Sequence, residues 1–307
     1  MPVTQRLKAD LSLALATFLW GVTFVVVKDA VSRSSVFLFL SLRFGLAALI
    51  LVVLQRKALR KLRREELLAG VWLGLFMFGG YVFQTFGLVF TTPIKSSFVT
   101  GTSVVLVPVL LALFWRGRLH LWEYAGALAA IGGLYFLTVP GGPVARLNLG
   151  DLLTLVGATL YAFHIILVGQ YARTHPHASL CFLQVAATAL LAAGGCLLGA
   201  ATGWQRPRFD ASWQLYVGIG ITAVFATAVA FTLQLWAQRY TSPSHAAVIF
   251  ALEPVFAAGT SYLLLGERLG GRALLGAGLV MAGILMAELK GPAPAAPESA
   301  EPAAGAR

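Results

Sequence analysis

Residues 67–95 read LLAGVWLGLFMFGGYVFQTFGLVFTTPIK, and this stretch decides the fold class. Its first part, 67–90, contains no Asp, Glu, Lys or Arg, and it is longer than the roughly 20 apolar residues that cross a bilayer. Lipid offers no hydrogen-bond partner to a bare backbone, so such a segment forms a helix that satisfies its own N–H and C=O groups. The Thr-Thr-Pro of 91–93 separates this helix from the next one.

Segments of the same kind recur along the whole chain. We place ten of them at 11–28, 35–55, 67–90, 94–115, 121–140, 150–171, 179–202, 212–238, 243–265 and 271–289. The composition agrees, because 58% of the residues are hydrophobic and only 11% are charged, whereas a soluble domain carries about 25% charged residues. We therefore predict an all-α membrane protein with about ten transmembrane helices.

The quoted stretch returns 150 residues later, at 217–245, as VGIGITAVFATAVAFTLQLWAQRYTSPSH. The matched positions include Gly70 and Gly220, Gln84 and Gln234, Pro93 and Pro243, Arg118 and Arg268, and Gly133 and Gly283. Near the start of each half the offset is 141, which pairs Trp20 with Tyr161. Similar composition alone is the alternative explanation, but Gln, Pro and Arg matched at one offset argue against it. Each half holds five spans, so the second half enters the membrane from the opposite side, as an inverted repeat.

The half boundary falls at the Gly-Gly-Pro of 141–143. We assign the first five-helix repeat to 1–142 and the second to 143–290. Residues 291–307 contain Pro, Ala and Glu but no large apolar residue. Such a segment cannot bury apolar surface, so we predict a disordered cytoplasmic tail.

The net charge of +11 would fit a nucleic-acid-binding protein. The strongest basic run, 56–64, however, lies between two apolar segments, where it acts as a topology signal. With the N-terminus in the cytoplasm, that side holds fourteen Lys and Arg residues and the other side holds eight. We therefore predict a multi-pass protein of a bacterial-type cytoplasmic (inner) membrane with both termini cytoplasmic, which contacts the lipid bilayer and no nucleic acid.

Short motifs carry a family resemblance over about residues 10–290. They are Leu19-Trp20-Gly21, Leu42-Arg43-Phe44, the SPSHAA of 242–247, the LEPVFA of 252–257 and the LGERL of 265–269. With these motifs the chain resembles the EamA-type members of the drug/metabolite transporter (DMT) superfamily. The resemblance implies ten helices, a central cavity enclosed mainly by helices 1, 3, 4, 6, 8 and 9, and export of metabolites such as amino acids. The halves differ where Ser103-Val104 replaces Glu253-Pro254, so the two half-sites are not chemically equivalent.

Polar and aromatic residues at similar depth in these helices predict a substrate cavity. Aromatic walls with a few polar groups are typical of small-ligand sites. The predicted substrate-binding residues are Trp20, Tyr81, Gln84, Ser103, Tyr161, His164, Phe231, Gln234 and Glu253. The alternative for each aromatic ring is packing, and for the glutamines and His164 it is hydrogen bonding between helices.

Arg43 and Glu253 lie about eight and ten residues into their predicted helices, where a charge is costly and marks either a function or a partner. Glu253 is a candidate for proton coupling, for binding a substrate amine, or for a structural pair with Arg43. Arg43 either binds a substrate carboxylate or is a structural charge near the outer interface, and we favour the structural reading. Pro108 and Pro254 are the predicted hinges.

The chain lacks a Walker loop, an HExxH motif and a Ser/His/Asp order, so we predict that it is not an enzyme and holds no cofactor or metal. Our leading hypothesis is a secondary transporter that exports small metabolites or amino acids across the inner membrane by alternating access. Proton exchange and downhill flow both stay open, as do a monomer and a homodimer. The alternatives are a solute-uptake permease and an intramembrane lipid-modifying enzyme, which needs catalytic polar residues clustered at one interface.

Overall fold

The structure, a computed structural model, describes residues 3–60, 62–115, 121–138 and 148–290. In the first half, α1 spans Val3–Arg33, α2 Val36–Leu59, α3 Arg64–Phe90, α4 Pro93–Gly101 and Ser103–Trp115, and α5 Leu121–Thr138. In the second half, α6 spans Leu149–Thr174, α7 His177–Thr202, α8 Trp213–Ala223, Val224–Val229 and Ala230–Ala237, α9 Pro243–Phe250 and Glu253–Leu265, and α10 Gly271–Lys290. No strand occurs within these ranges. The predicted tail at 291–307 lies outside the described residues.

Eight of these helices are long and apolar enough to cross a membrane. Helices α5 and α10 hold shorter apolar stretches, Tyr124–Leu137 and Gly271–Met286. The prediction of about ten transmembrane helices is therefore confirmed.

The helix contacts follow the inverted repeat. Helix α2 packs on its repeat equivalent α7, and α5 packs on α10. The contact of α3 with α6 is matched by that of α8 with α1, and the contact of α4 with α6 by that of α9 with α1. Each of these contacts joins one half to the other, as two pseudo-symmetric halves require. The predicted pair of inverted five-helix repeats is thus confirmed.

The Thr-Thr-Pro and Thr-Ser-Pro motifs start α4 and α9 by the same chemistry. The Thr92 hydroxyl accepts a hydrogen bond from the Lys95 backbone N–H (3.4 Å), and the Ser242 hydroxyl accepts one from the His245 N–H (3.1 Å). The following prolines occupy the first helical turn, where an N–H has no partner within the helix and its loss costs little. Repeated sequence therefore produces repeated helix starts at opposite membrane faces.

Helices α4 and α9 are interrupted at equivalent positions, Thr102 and 251–252. In α4 the Thr102 hydroxyl donates to the Val99 carbonyl at 2.6 Å and competes with the helical backbone. In α9 the irregular turn at 251–252 precedes Glu253-Pro254, and Pro254 has no N–H to donate to the Phe250 carbonyl one turn earlier, so the regular hydrogen-bond ladder is interrupted there. Pro108, in contrast, lies inside a continuous helical segment. A hinge role for the two prolines stays a prediction, and the α4 interruption lies six residues before Pro108.

Helix α8 departs from the continuous helix predicted over 212–238. Residues Val224–Val229 form a π-helical turn, and the equivalent part of α3 is regular α-helix. Within the turn, the Thr227 hydroxyl donates to the Thr222 carbonyl at 2.8 Å. A hydroxyl that bonds back to the helix competes with its regular ladder, and π-turns of this kind are frequent at functional sites.

Helices α5 and α10 approach closely at glycines related by the repeat. A Cβ atom on Gly133 would lie 2.7 Å from the Gly276 carbonyl oxygen, and one on Gly283 would lie 2.6 Å from the Gly126 carbonyl oxygen. Real Cβ atoms are not found so close to backbone oxygens, so glycine is required on both sides of this contact. Small residues that let two backbones approach are a common way to pack helices in lipid.

We expect Gly133→Ala to lower the free energy of unfolding by about 1–3 kcal/mol, because the methyl group would force α5 away from α10. Gly132→Ala is the matched control, since a Cβ there meets no atom within 4 Å. It should leave stability unchanged or raise it by about 0.5–1 kcal/mol through helix propensity. Thermal unfolding in detergent measures both variants, and equal melting temperatures would contradict the contact.

Candidate functional site

An open cavity lies between the two halves, with an empty volume of about 670 Å³ that includes the solvent space at its mouth. It is lined by α1, α3 and α4 of the first half and by α6, α8 and α9 of the second, and Arg43 reaches it from α2. Most lining residues form repeat-related pairs: Trp20 and Tyr161, Thr23 and His164, Phe24 and Ile165, Tyr81 and Phe231, Gln84 and Gln234, Thr100 and Phe250, and Ser103 and Glu253. The cavity therefore follows the pseudo-symmetry of the fold.

All nine residues predicted to bind substrate line this one cavity, and so does Arg43. The predicted hinges, Pro108 and Pro254, do not. Sequence reasoning missed the lining residues Thr23, Phe24, Val27, Leu88, Thr100, Ile165 and Phe250. The repeat could have found two of them, because Thr100 and Phe250 are related by the offset of 150 and come three residues before the predicted pair Ser103 and Glu253. A role in binding substrate stays a prediction for every residue of the set.

Arg43 is 2% exposed and is held by three helices. Its Nε donates to the Thr227 hydroxyl at 2.9 Å, and its Nη2 donates to the Tyr81 hydroxyl at 3.4 Å and the Ala226 carbonyl at 3.5 Å. Its guanidinium also stacks over the Tyr81 and Phe44 rings, 4.7 and 5.2 Å from their centroids. Arg43 therefore does not extend to the outer interface, as the favoured sequence reading assumed. Its length, enough for snorkelling, is instead used to reach polar groups on α3 and α8.

Glu253 is the first residue of the second segment of α9 and lines the cavity. Among the residues that the structure describes, its carboxylate has no hydrogen-bond or ion-pair partner, and it forms no salt bridge with Arg43. The structural pair that the sequence left open is thus not formed. The Glu253 carboxylate and the Arg43 guanidinium therefore line the same cavity without forming an ion pair with each other.

Aromatic rings form much of the cavity wall. The Trp20 ring contacts Phe231 and Phe250, with centroids 5.3 Å apart in each case. Tyr81 lies edge-on to Tyr161, with centroids 5.4 Å apart. Wall side chains packed in this way leave the charged groups in surroundings of low polarity, where electrostatic contacts with a ligand are stronger than in water.

The amide and imidazole groups of the cavity also bond to neighbouring helices. Gln84 donates to the Thr100 hydroxyl at 2.9 Å, and His164 Nε2 lies 2.9 Å from the Gln184 oxygen. Gln84 and His164 therefore form the hydrogen bonds between helices that the alternative reading predicts, and because they also line the cavity, their role in binding substrate stays a prediction.

Two polar contacts join the halves at opposite membrane faces. Asp10 at the start of α1 lies 3.0 Å from His245 Nε2 at the start of α9. Asp151 at the start of α6 accepts a hydrogen bond of 2.6 Å from the Thr91 hydroxyl at the end of α3. The two aspartates are repeat equivalents at the offset of 141. Each half thus contributes an aspartate that ties its first helix to the opposite half.

Comparison with known proteins agrees with this architecture. The sequence profile of the EamA-like transporter family matches residues 7–139 and 148–289. An uncharacterized transporter of Archaeoglobus fulgidus is 36% identical over 265 residues, which cover 86% of this chain and 80% of the relative. The uncharacterized transporter YoaV of Bacillus subtilis is 24% identical over 280 residues, or 85% of this chain and 90% of the relative.

A solved crystal structure shares the fold, with a TM-score of 0.66 and 19% sequence identity. The match covers 92% of this chain and 96% of that one. Two matches of one family profile, one in each half, together with a relative that is 36% identical over most of its length, settle the classification. The chain belongs to the EamA-like transporter family of the DMT superfamily and is a multi-pass membrane transporter.

Proposed function

We propose that this transporter exports small zwitterionic metabolites, amino acids among them, from the cytoplasm across the inner membrane by alternating access. Both termini lie in the cytoplasm in this proposal, as the distribution of Lys and Arg indicates. Export is the direction that the family resemblance implies.

One observation carries the choice of substrate class. Arg43 and Glu253 border the same cavity, and neither is neutralised by an ion-pair partner among the described residues. Nη1 of Arg43 makes no hydrogen bond with those residues either, so the guanidinium keeps donors for a carboxylate. A buried charge normally requires an opposite charge. A zwitterion supplies both, with its carboxylate at Arg43 and its ammonium at Glu253.

The repeat supports alternating access. The cavity lies between two inverted halves, and pseudo-symmetric halves can exchange conformations so that the site opens to one face and then to the other. The contacts of Asp10 with His245 and of Asp151 with Thr91 join the halves at the two faces. Only one of these contacts needs to open at a time.

A thermal-shift panel of amino acids on the purified protein tests the substrate class. A true ligand at 100 times its Kd should stabilise the protein by about 2.7 kcal/mol, whereas analogues that lack either charge should stabilise it less. Proteoliposomes then test the mechanism. Labelled ligand added outside should accumulate transiently inside vesicles that are loaded with unlabelled ligand. A carrier exchanges an internal ligand molecule for an external one in each cycle, whereas an open pore does not.

Failure of every amino acid to bind would reject the substrate class. Flux without counterflow would reject alternating access. Vesicles of known orientation decide direction, and transport that proceeds faster from the external face would reject export in favour of an uptake permease.

A further inference from the structure

The two repeat-related glutamines of the cavity differ in how their amides are used. Both amide atoms of Gln84 form hydrogen bonds: its nitrogen donates to the Thr100 hydroxyl at 2.9 Å, and its oxygen accepts from the Tyr161 hydroxyl at 3.0 Å. Gln234, its equivalent on α8, is 1% exposed. Its oxygen has no hydrogen-bond partner among the residues that the structure describes.

The hydrogen-bond network shows that the unpaired atom of Gln234 is the oxygen and not the nitrogen. Gln238 contacts the Ile165 backbone carbonyl at 3.2 Å, and a carbonyl only accepts, so Gln238 must present its nitrogen there. The other amide atom of Gln238 is then its oxygen, which accepts from Gln234 at 2.9 Å. Gln234 therefore uses its nitrogen for this bond. Its free atom is an acceptor, and only a donor can satisfy it.

The difference between the glutamines arises from the π-helical turn of α8. By the repeat, Trp20 takes the place of Tyr161, which satisfies Gln84. The Trp20 indole N–H instead donates to the carbonyl of Ala226, inside the turn at Val224–Val229, at 2.9 Å. The indole is therefore used elsewhere, and the oxygen of Gln234 stays unpaired beside the cavity.

Gln234 and Glu253 line the same cavity, as does Trp20. The Trp20 ring contacts Phe231, which lies one turn before Gln234 on the same face of α8, and Phe250, which ends the first segment of α9. Glu253 begins the second segment three residues later, across the irregular turn, so α8 and α9 bring both acceptors to the cavity wall next to Trp20. A carboxylate and an amide oxygen together accept hydrogen bonds and attract positive charge.

We propose that Gln234 and Glu253 form an acceptor-only subsite that binds the ammonium group of the transported substrate and selects amines over their deaminated analogues. This inference rests on the proposed function, and it assigns the amine preference to one amide oxygen. Buried acceptors are almost always hydrogen-bonded, and the ammonium N–H supplies the bond that Trp20 does not make. Gln84 has no such role, because its oxygen already accepts from Tyr161.

Two pairs of compounds that differ only in the amino group test the subsite: L-phenylalanine with 3-phenylpropanoate, and L-leucine with 4-methylpentanoate. Binding is measured by thermal shift and by competition in counterflow. The wild-type protein should bind the amino acids at least about tenfold more tightly than the acids, the effect of one hydrogen bond to a charged group. Gln234→Met should reduce that ratio about tenfold and leave the affinity for the acids unchanged.

Gln84→Met is the matched control, and it should change both members of a pair by the same factor. Gln234→Glu keeps an acceptor and should retain the amine preference, but it should melt earlier, because a carboxylate cannot donate to the Gln238 oxygen as the Gln234 nitrogen does. Melting temperatures of the unliganded variants show that each is folded. An equal change for both members of a pair in Gln234→Met would overturn the subsite, and so would wild-type protein that binds both members equally. Wild-type protein that binds no amino acid of the panel would reject the proposed substrate class together with the subsite; if it binds amino acids other than these two, the test pairs are those amino acids and their deaminated analogues.

Discussion

Arg43→Met is expected to reduce amino-acid transport by about 10- to 100-fold, mainly through weaker binding. A hydrogen bond to a charged group contributes about 1.5–3 kcal/mol, and each 1.4 kcal/mol corresponds to about a tenfold change in affinity. Methionine keeps much of the length of the side chain but cannot bind a carboxylate. Arg43→Lys should be intermediate, because it keeps the charge but loses the planar fork that pairs with both carboxylate oxygens.

The measurement is the concentration dependence of initial flux in proteoliposomes. Arg33→Met is the matched control. Arg33 lies at the end of α1, does not line the cavity, and forms an ion pair with Asp29, with 3.0 Å between the Arg33 Nε and the Asp29 carboxylate. Solvent screens an exposed pair of this kind, and its loss has little effect on stability, so flux should stay near the wild-type value. Arg43 also joins α2 to α3 and α8, so some loss of stability is expected as well. An Arg43→Met protein that remains folded and keeps wild-type affinity would refute a role in binding the carboxylate.

Glu253→Gln is expected to remove the response of transport to a pH gradient, while downhill flux persists with a weaker affinity for the substrate, because the ammonium loses its carboxylate partner. The carboxylate of Glu253 has no partner among the described residues, so it can hold a proton or a substrate ammonium, but not both at once. Exchange of one for the other would couple export to proton entry. One pH unit is worth about 1.4 kcal/mol per proton and can sustain about a tenfold concentration ratio. The glutamine keeps the size of the side chain and loses the exchangeable proton, so the ratio should fall to about one.

Flux in proteoliposomes with an imposed pH gradient measures this coupling. Glu267→Gln is the control, because Glu267 accepts hydrogen bonds from the Ser261 hydroxyl at 2.5 Å and the Ile94 N–H at 3.5 Å and does not line the cavity. It should keep the gradient response even if it melts earlier. Wild-type flux that ignores the gradient would exclude proton coupling and leave downhill flow. A response that survives in Glu253→Gln would assign the coupling to another group.

Much of the candidate site could be read from the repeat. Gln84 and Gln234 share one offset, and Trp20 and Tyr161 share another, so their common depth follows from alignment of the halves without any coordinates. All four line the cavity. Thr100 and Phe250 are related by the offset of 150 as well, but they were not predicted. Neither a threonine nor a phenylalanine in an apolar segment indicates a binding site by itself.

Other features of the site were not predictable from residue positions. Arg43 has apolar neighbours that fit a structural charge at the interface as well as a cavity residue. Its place was decided by polar groups on α3 and α8 that its guanidinium can reach. The prolines suggested where α4 and α9 bend, but in α4 the competing bond of the Thr102 hydroxyl places the irregular turn earlier.

The sequence by itself determined the number of helices, the inverted repeat and nine of the positions that face the cavity. Apolar length and a fixed offset are properties of the chain, and lipid leaves few alternatives to a helix. Only the tertiary structure decided which donor meets which acceptor. Trp20 bonds to Ala226, 206 residues away, because a π-turn in α8 presents that carbonyl. Which of two acceptors a donor binds depends on differences of about an ångström in the donor–acceptor distance. The order of residues along the chain does not reveal such differences. The two halves therefore share a scaffold, and the two cavity-lining acceptors without a partner among the described residues, Gln234 and Glu253, both belong to the second half.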